Sequence, residues 1–154
     1  MRTSKKGIDI ICEIESFRSH PYPDGEGVPT IGFGSTYYKD GRHVKLSDPP
    51  ITESQAHELM AYSLQKIEQA VEDAVRADLT QNQFDALISL TYNIGIHAFE
   101  TSTLLRLLNT RDVDMNIVAS QFTRWNKDNG KVSHGLVNRR AVEKMLFLTP
   151  DKMQ

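Results

Sequence analysis

Five of the chain's six prolines and five of its nine glycines lie between residues 21 and 50. A long helix cannot pass through that stretch, because proline removes a helix donor and glycine weakens helix interiors. Within it, aromatic and β-branched residues alternate with turn residues from Val28 to Tyr38 and around His43 to Leu46. This predicts a small hairpin sheet bounded by loops. On both sides the apolar pattern is helical. Residues 4–17 read as a short helix. Thr52-x-x-Gln55 is a capping-box pattern, followed at helical spacing by Ala56, Leu59, Met60, Leu64, Ile67, Val71, Ala74 and Val75, a stretch of about 25 residues. Thr80-x-x-Gln83 repeats the cap before Phe84, Leu87, Ile88 and Ile94, with Gly95 as a stop. Further helices are expected near 101–109, 112–123 and 134–148. The expected class is α+β and mainly helical. A small N-terminal lobe carries the sheet, a long helix connects, a helical C-terminal lobe follows, and ligands bind in a cleft between the lobes.

A chain of 154 residues with 39% hydrophobic and 25% charged residues is the size of one soluble globular domain. Its formal net charge of −2 gives no global positive field for nucleic acid. The charge is uneven, with acids concentrated in residues 48–78 and Lys and Arg in residues 121–154, so the C-terminal part can meet an anionic surface locally. One cysteine, Cys12, excludes an intramolecular disulfide; it reads as a small buried hydrophobe on the first helix. The five histidines and Cys12 show no metal-ligand spacing, and no cofactor is implied. The N-terminus, interrupted by Asp9 and Glu13, is too short and too charged for a signal peptide or membrane anchor.

Chemistry points to residues 15–34. On a helical projection, Ile8, Ile10, Ile11, Ile14 and Phe17 define an apolar arc. Glu15 falls inside it, and Glu13 falls nearly opposite. Burial disfavours the charged form of a carboxyl, and a proton donor working near neutral pH needs that shift. A buried glutamate held by an arginine, such as Arg18 or one from the C-terminal helix, fits the same pattern. Asp24 sits in the turn sequence Pro-Tyr-Pro-Asp-Gly. It reads as a loop-capping aspartate or as an ionised carboxylate able to act on water. Thr30 opens Thr-Ile-Gly-Phe-Gly, and its hydroxyl reads as a strand threonine or as a second group holding that water. Two carboxylates in unlike environments are the minimum equipment for glycoside cleavage.

The motif Glu15-x8-Asp24-x5-Thr30, continued as Thr-Ile-Gly-Phe-Gly, resembles the catalytic signature of the phage-type lysozymes (glycoside hydrolase family 24, tailed-phage endolysins). Downstream, the blocks Asn82–Leu87, Tyr92–Gly95, Thr101–Leu105, Phe122-x-x-Trp125-Asn126, Gly135–Arg140 and Glu143-x-x-Leu146-Phe147 resemble later segments of the same family. The resemblance covers roughly residues 4–148. It implies a single lysozyme-like domain over 1–154, with the N-terminal lobe about 14–60 and the C-terminal lobe about 1–13 and 61–150. It implies a muramidase that hydrolyses the β-1,4 bond from N-acetylmuramic acid to N-acetylglucosamine in peptidoglycan and lyses the host. Glu15 resembles the general acid, Asp24 the water-activating carboxylate and Thr30 the water-positioning hydroxyl. Gly32 and Phe33 from the sheet side, and Tyr92, Asn93, Gly95 and Ser102 from the helical lobe, are the implied substrate contacts. Arg139 or Arg140 is the implied partner of the acid. The partner is peptidoglycan, with no nucleic acid, no metal, no cofactor and no membrane insertion. The protein is expected to be a monomer that accumulates in the host cytoplasm and reaches the wall through a separate holin. Two features depart from many relatives: the slightly acidic balance, and the lack of a signal-anchor.

Overall fold

The computed structural model describes residues 1–151; Lys152, part of the basic C-terminal stretch, lies outside the described residues. The chain forms two compact units, one of Ile8–Gln65 and one of Met1–Gly7 with the residues from Lys66 onward.

In the first unit, helix α1 (Lys5–Glu15) contributes its later turns. It stops two residues earlier than its apolar pattern predicts, because Ser16 adopts a left-handed φ of 60° and its N–H returns to the Cys12 carbonyl. Strands β1 (Arg18–Pro23) and β2 (Pro29–Gly32) pair antiparallel, with Tyr22 opposite Thr30 and Pro23 opposite Pro29. The hairpin sheet therefore lies earlier than expected. Residues 31–46 add only the isolated bridges Ile31–Ser35 and Tyr37–His43. Left-handed backbone at Gly32 and Gly34, φ 69° and 95°, turns the chain out of the ladder after four residues. Ile31, Val44 and Leu59 form the core here, packed by Tyr38 and Ile51. Helix α2 (Glu53–Ala74) starts with the predicted capping box: Gln55 N–H donates to the Thr52 hydroxyl at 3.1 Å, and Thr52 N–H to the Gln55 side chain at 2.8 Å.

The second unit is built around α3 (Gln81–Ile94), where Phe84 and Ala86–Thr91 are buried. Its capping box at Thr80 and its stop at Gly95 are both as the sequence predicts. Next come α4 (Ile96–Glu100), α5 (Thr103–Leu108), α6 (Met115–Ser120) and a 3-10 turn over Gln121–Arg124. A two-residue-per-strand hairpin follows, β3 (Lys127–Asp128) and β4 (Lys131–Val132), and then α7 (His134–Leu148). The short α4 and the β3–β4 hairpin were not expected from periodicity. Phe99, Leu104, Val118, Phe122 and Phe147 complete the core, with the Phe122 and Phe147 rings 5.4 Å apart.

Residues 1–7 belong to this unit because three acids hold them. The Met1 amino group meets Glu72 at 2.8 Å, and the Thr3 N–H and hydroxyl both donate to Glu68 at 2.6 Å. Fully buried Asp85 accepts the Ser4 N–H at 3.0 Å, the Ser4 hydroxyl, and the Gln81 amide at 2.8 Å. Ser4 in turn caps α1, accepting the Gly7 N–H at 3.0 Å. At the other end of the chain, the Asp151 carboxylate accepts the Gln81 and Asn82 N–H groups at 2.9 and 3.0 Å, which places a negative charge on the α3 N-terminus.

A Cβ at Gly7 would stand 2.6 Å from Asp85 Cγ and 2.8 Å from its Oδ2. That carboxylate is fixed by its donors and cannot move aside. Gly7→Ala should therefore cost about 1–3 kcal/mol, read as a lowered urea midpoint with an unchanged m-value.

Candidate functional site

Within the first unit, Glu15 is the last residue of α1 and is half-buried, while Glu13 is exposed. The left-handed Ser16 ends the helix immediately behind it and redirects the chain into β1. Burial pushes the Cys12 thiol up to about 12, with the negative charges of Asp9, Glu15 and Glu53 adding to the shift. Cys12 is 2% exposed, so it is the small buried hydrophobe its position predicts. Arg18, one sequence candidate for holding Glu15, does not do so; its guanidinium lies over the Tyr22 ring, 4.1 Å from the centroid.

Asp24 is exposed at the tip of the β1–β2 hairpin. Its Oδ1 accepts the N–H of Glu26 and the N–H of Val28, each at 2.8 Å, so it caps its own loop. Those bonds also fix the direction of the carboxylate. Its Oδ2 has no hydrogen-bond partner among the described residues. Thr30, 3% exposed, donates its hydroxyl proton to the Val28 carbonyl at 2.8 Å. The same carbonyl accepts the Asp24 N–H at 2.9 Å. Val28 thus ties Asp24 and Thr30 together with its own N–H and C=O. Gly27, at φ 83°, permits the turn that presents them. Sequence reasoning missed Val28 because only its backbone takes part.

Gly32 is closely packed: a Cβ there would meet Ala56 Cβ at 3.0 Å and Ile51 Cδ1 at 3.3 Å. Phe33 is a core residue at 3% exposure, with its ring 5.6 Å from Phe17 and 4.8 Å from His57. Half-exposed His57 also approaches Asp9 at 3.9 Å.

In the second unit, Tyr92 is half-buried and Asn93 exposed near the end of α3, followed by Gly95 at φ 94°. Ser102 caps α5, accepting the Leu105 N–H at 3.0 Å and donating to the Phe99 carbonyl at 2.6 Å. Trp125 is half-buried. Arg139 and Arg140 are buried on α7, and the partner that their own unit supplies to both is Glu143. Arg140 Nε lies 2.7 Å from Glu143 Oε1, and Arg139 Nε lies 3.3 Å from Oε2. The Ser89 hydroxyl donates to the same carboxylate, and Arg139 Nη2 donates to the Ser89 carbonyl at 3.2 Å. Burial pushes the Glu143 carboxyl up and the Arg140 guanidinium down, against their mutual attraction. The i,i+3 and i,i+4 spacing of Arg140 and Arg139 to Glu143, on the helix face that also carries Leu146 and Phe147, was the available signal for this cluster.

Against known proteins, the family model for phage lysozyme matches residues 12–143. The endolysin of Salmonella phage P22 is 42% identical over 97% of this chain and 99% of its own length. The endolysin of Bacillus phage B103 is 38% identical over 97% of this chain. The chain spans about half, 55%, of that relative's length. SAR-endolysins of other phages are also among the relatives. A crystal structure of a P22 lysozyme point mutant superposes with a TM-score of 0.87 at 40% identity, covering 97% of this chain and 99% of that one. No helix among the described residues is long and apolar enough to cross a membrane.

Glu143→Ala would leave two buried guanidiniums without that acid. It should destabilise the protein by about 3–5 kcal/mol, measured by urea unfolding. Cys12 should resist a thiol reagent at pH 8 in the folded protein and react at the rate of unfolding, followed as label uptake by mass spectrometry.

Proposed function

The chain belongs to the phage lysozyme family, and from that membership we propose that it is a muramidase cleaving the β-1,4 bond between N-acetylmuramic acid and N-acetylglucosamine of peptidoglycan. The observation that carries the reading is the Val28-linked pair of Asp24 and Thr30. Thr30 has given its one hydroxyl proton to a carbonyl, so it can only accept from a water. Asp24 has given Oδ1 to two amides, so Oδ2 is the oxygen left to act as base. A water with one hydrogen on each acceptor turns a lone pair toward the anomeric carbon.

In the proposed step, Glu15 delivers its proton to the leaving glycosidic oxygen. The water forms the new bond to the anomeric carbon from the opposite face, and its proton passes to Asp24. Such a course inverts the anomeric configuration and calls for carboxyls roughly 6.5–9.5 Å apart. The reading is supported by the half-buried position of Glu15 at a helix end, by the orientation of Asp24 by backbone amides, and by the family match.

The same proposal includes sugar contacts at Gly32, Tyr92, Asn93, Gly95 and Ser102, while Phe33, at 3% exposure, belongs to the core and does not reach a sugar. It also includes a monomeric state, no nucleic-acid partner, and passage from the host cytoplasm to the wall by way of a holin.

Glu15→Gln and Asp24→Asn should each lower kcat by about 100- to 10,000-fold on purified peptidoglycan while leaving the fold intact. Thr30→Ser should retain most activity, because serine can make the same bond to Val28, and Thr30→Val should lose it. Reducing-end release, with the released muropeptides analysed by mass spectrometry, checks all four variants. Near-normal lysis by a folded Glu15→Gln variant would remove Glu15 as the acid. Anhydro-sugar end groups would replace hydrolysis with transglycosylation.

A further inference from the structure

We infer that Arg18 and Tyr22 form a subsite for a carboxylate carried by the substrate, beside the pair that holds the water; the inference rests on the hydrolase reading above. Tyr22 lies directly opposite Thr30 across the hairpin. Directly opposed residues of an antiparallel pair place their side chains on one face, with Cβ atoms roughly 4.5–5.5 Å apart. The ring is therefore a neighbour of the hydroxyl assigned to the water. Over it, 4.1 Å from the centroid, lies the guanidinium of exposed Arg18.

The pair is held in place from several sides. Pro21 and Pro23 flank Tyr22 and fix their own φ angles, so the strand around the ring has little freedom left to lose. The Ser19 carbonyl, next to Arg18, accepts the Ile51 N–H at 3.0 Å. The same unit provides an internal contrast. Arg42 also stacks on a tyrosine, 4.7 Å from the Tyr38 centroid, but it has a carboxylate of its own in Asp40 at 3.8 Å. Arg18 has no carboxylate within ion-pair distance among the described residues. Stacking leaves the edge of a guanidinium available, and that edge matches a carboxylate with two parallel hydrogen bonds. Among the described residues Arg18 is thus a pre-oriented cation lacking an anion, one strand away from the reacting water.

A wall glycan supplies such an anion on its muramic residues. The carboxylate is either that of the lactyl group, when no peptide is attached, or one of those on the stem peptide. Arg18 would read the shared chemistry, a carboxylate close to the scissile bond.

The test is steady-state hydrolysis of three glycans. One bears tetrapeptide stems. One has been stripped of its stems by an amidase, leaving free lactyl carboxylates. The third is the stripped glycan with those carboxylates converted to neutral methylamides. Arg18→Gln should raise KM about three- to tenfold on carboxylate-bearing glycan with kcat unchanged, and should leave the neutral glycan unaffected. Tyr22→Leu, which keeps the charge but removes the platform, should do the same, and Tyr22→Phe should behave as the parent. An effect confined to the tetrapeptide glycan assigns the carboxylate to the stem, and one confined to the stripped glycan assigns it to the lactyl group. Equal KM changes on charged and neutral glycans, or no change in an active Arg18→Gln enzyme, would overturn the subsite alone. Failure of the parent to release reducing ends from any glycan would overturn the hydrolase reading instead.

Discussion

The helical unit closes around a carboxylate that water does not reach. Glu143 is fully buried, and so is Arg140 beside it. Taking these charges out of water costs several kcal/mol per ion, and the close ion pairs together with the hydrogen bonds on Glu143 Oε2 offset part of it. The donors come from two helices: Arg139 and Arg140 on α7, and Ser89 on α3. The cluster therefore sets how α3 and α7 lie against one another, because a shift of either helix would strand a charge. Phe84, Leu87, Phe122 and Phe147 are among the buried apolar side chains of this unit, but apolar packing tolerates small slips that an ion cluster does not.

The hairpin unit solves a different problem, which is to hold an exposed carboxylate still. Asp24 has little packing around it, so its order comes from backbone amides, two on one oxygen. Glycine at position 27 makes those amides converge. The resulting loop needs few residues, and its geometry is carried by main-chain groups. This suits a site in which the side chain must keep its direction while one oxygen stays available.

Most helices were legible because their signals are local. The capping boxes at Thr52 and Thr80, the stop at Gly95 and the apolar spacing of α2 and α3 each depend on residues within a few positions. The roles proposed for Glu15, Asp24 and Thr30 rest on helical phase, turn sequence and motif. What escaped depended on partners distant in sequence or on backbone alone. β1 reads Arg-Ser-His-Pro-Tyr-Pro, in which Tyr22 is the one strand-favouring residue, and it becomes a strand by pairing with β2. The five residues of α4 and the two-residue strands β3 and β4 are shorter than any periodicity can register. Val28 acts through its peptide groups, whatever its side chain. Arg18 could be guessed as a partner for an acid, and only three-dimensional placement shows it on Tyr22.

The fastening of residues 1–7 by Glu68, Glu72 and Asp85 has a kinetic meaning. These bonds span 65 to 81 residues of sequence, so each must close a long loop before it contributes. On a growing chain, the first seven residues leave the ribosome well before their acceptors do. Ser4, which caps α1, therefore lacks its Asp85 acceptor until α3 has been made. The helical unit then finishes folding around a segment made 65 to 81 residues before its acceptors, and Gly7 leaves room for it to arrive.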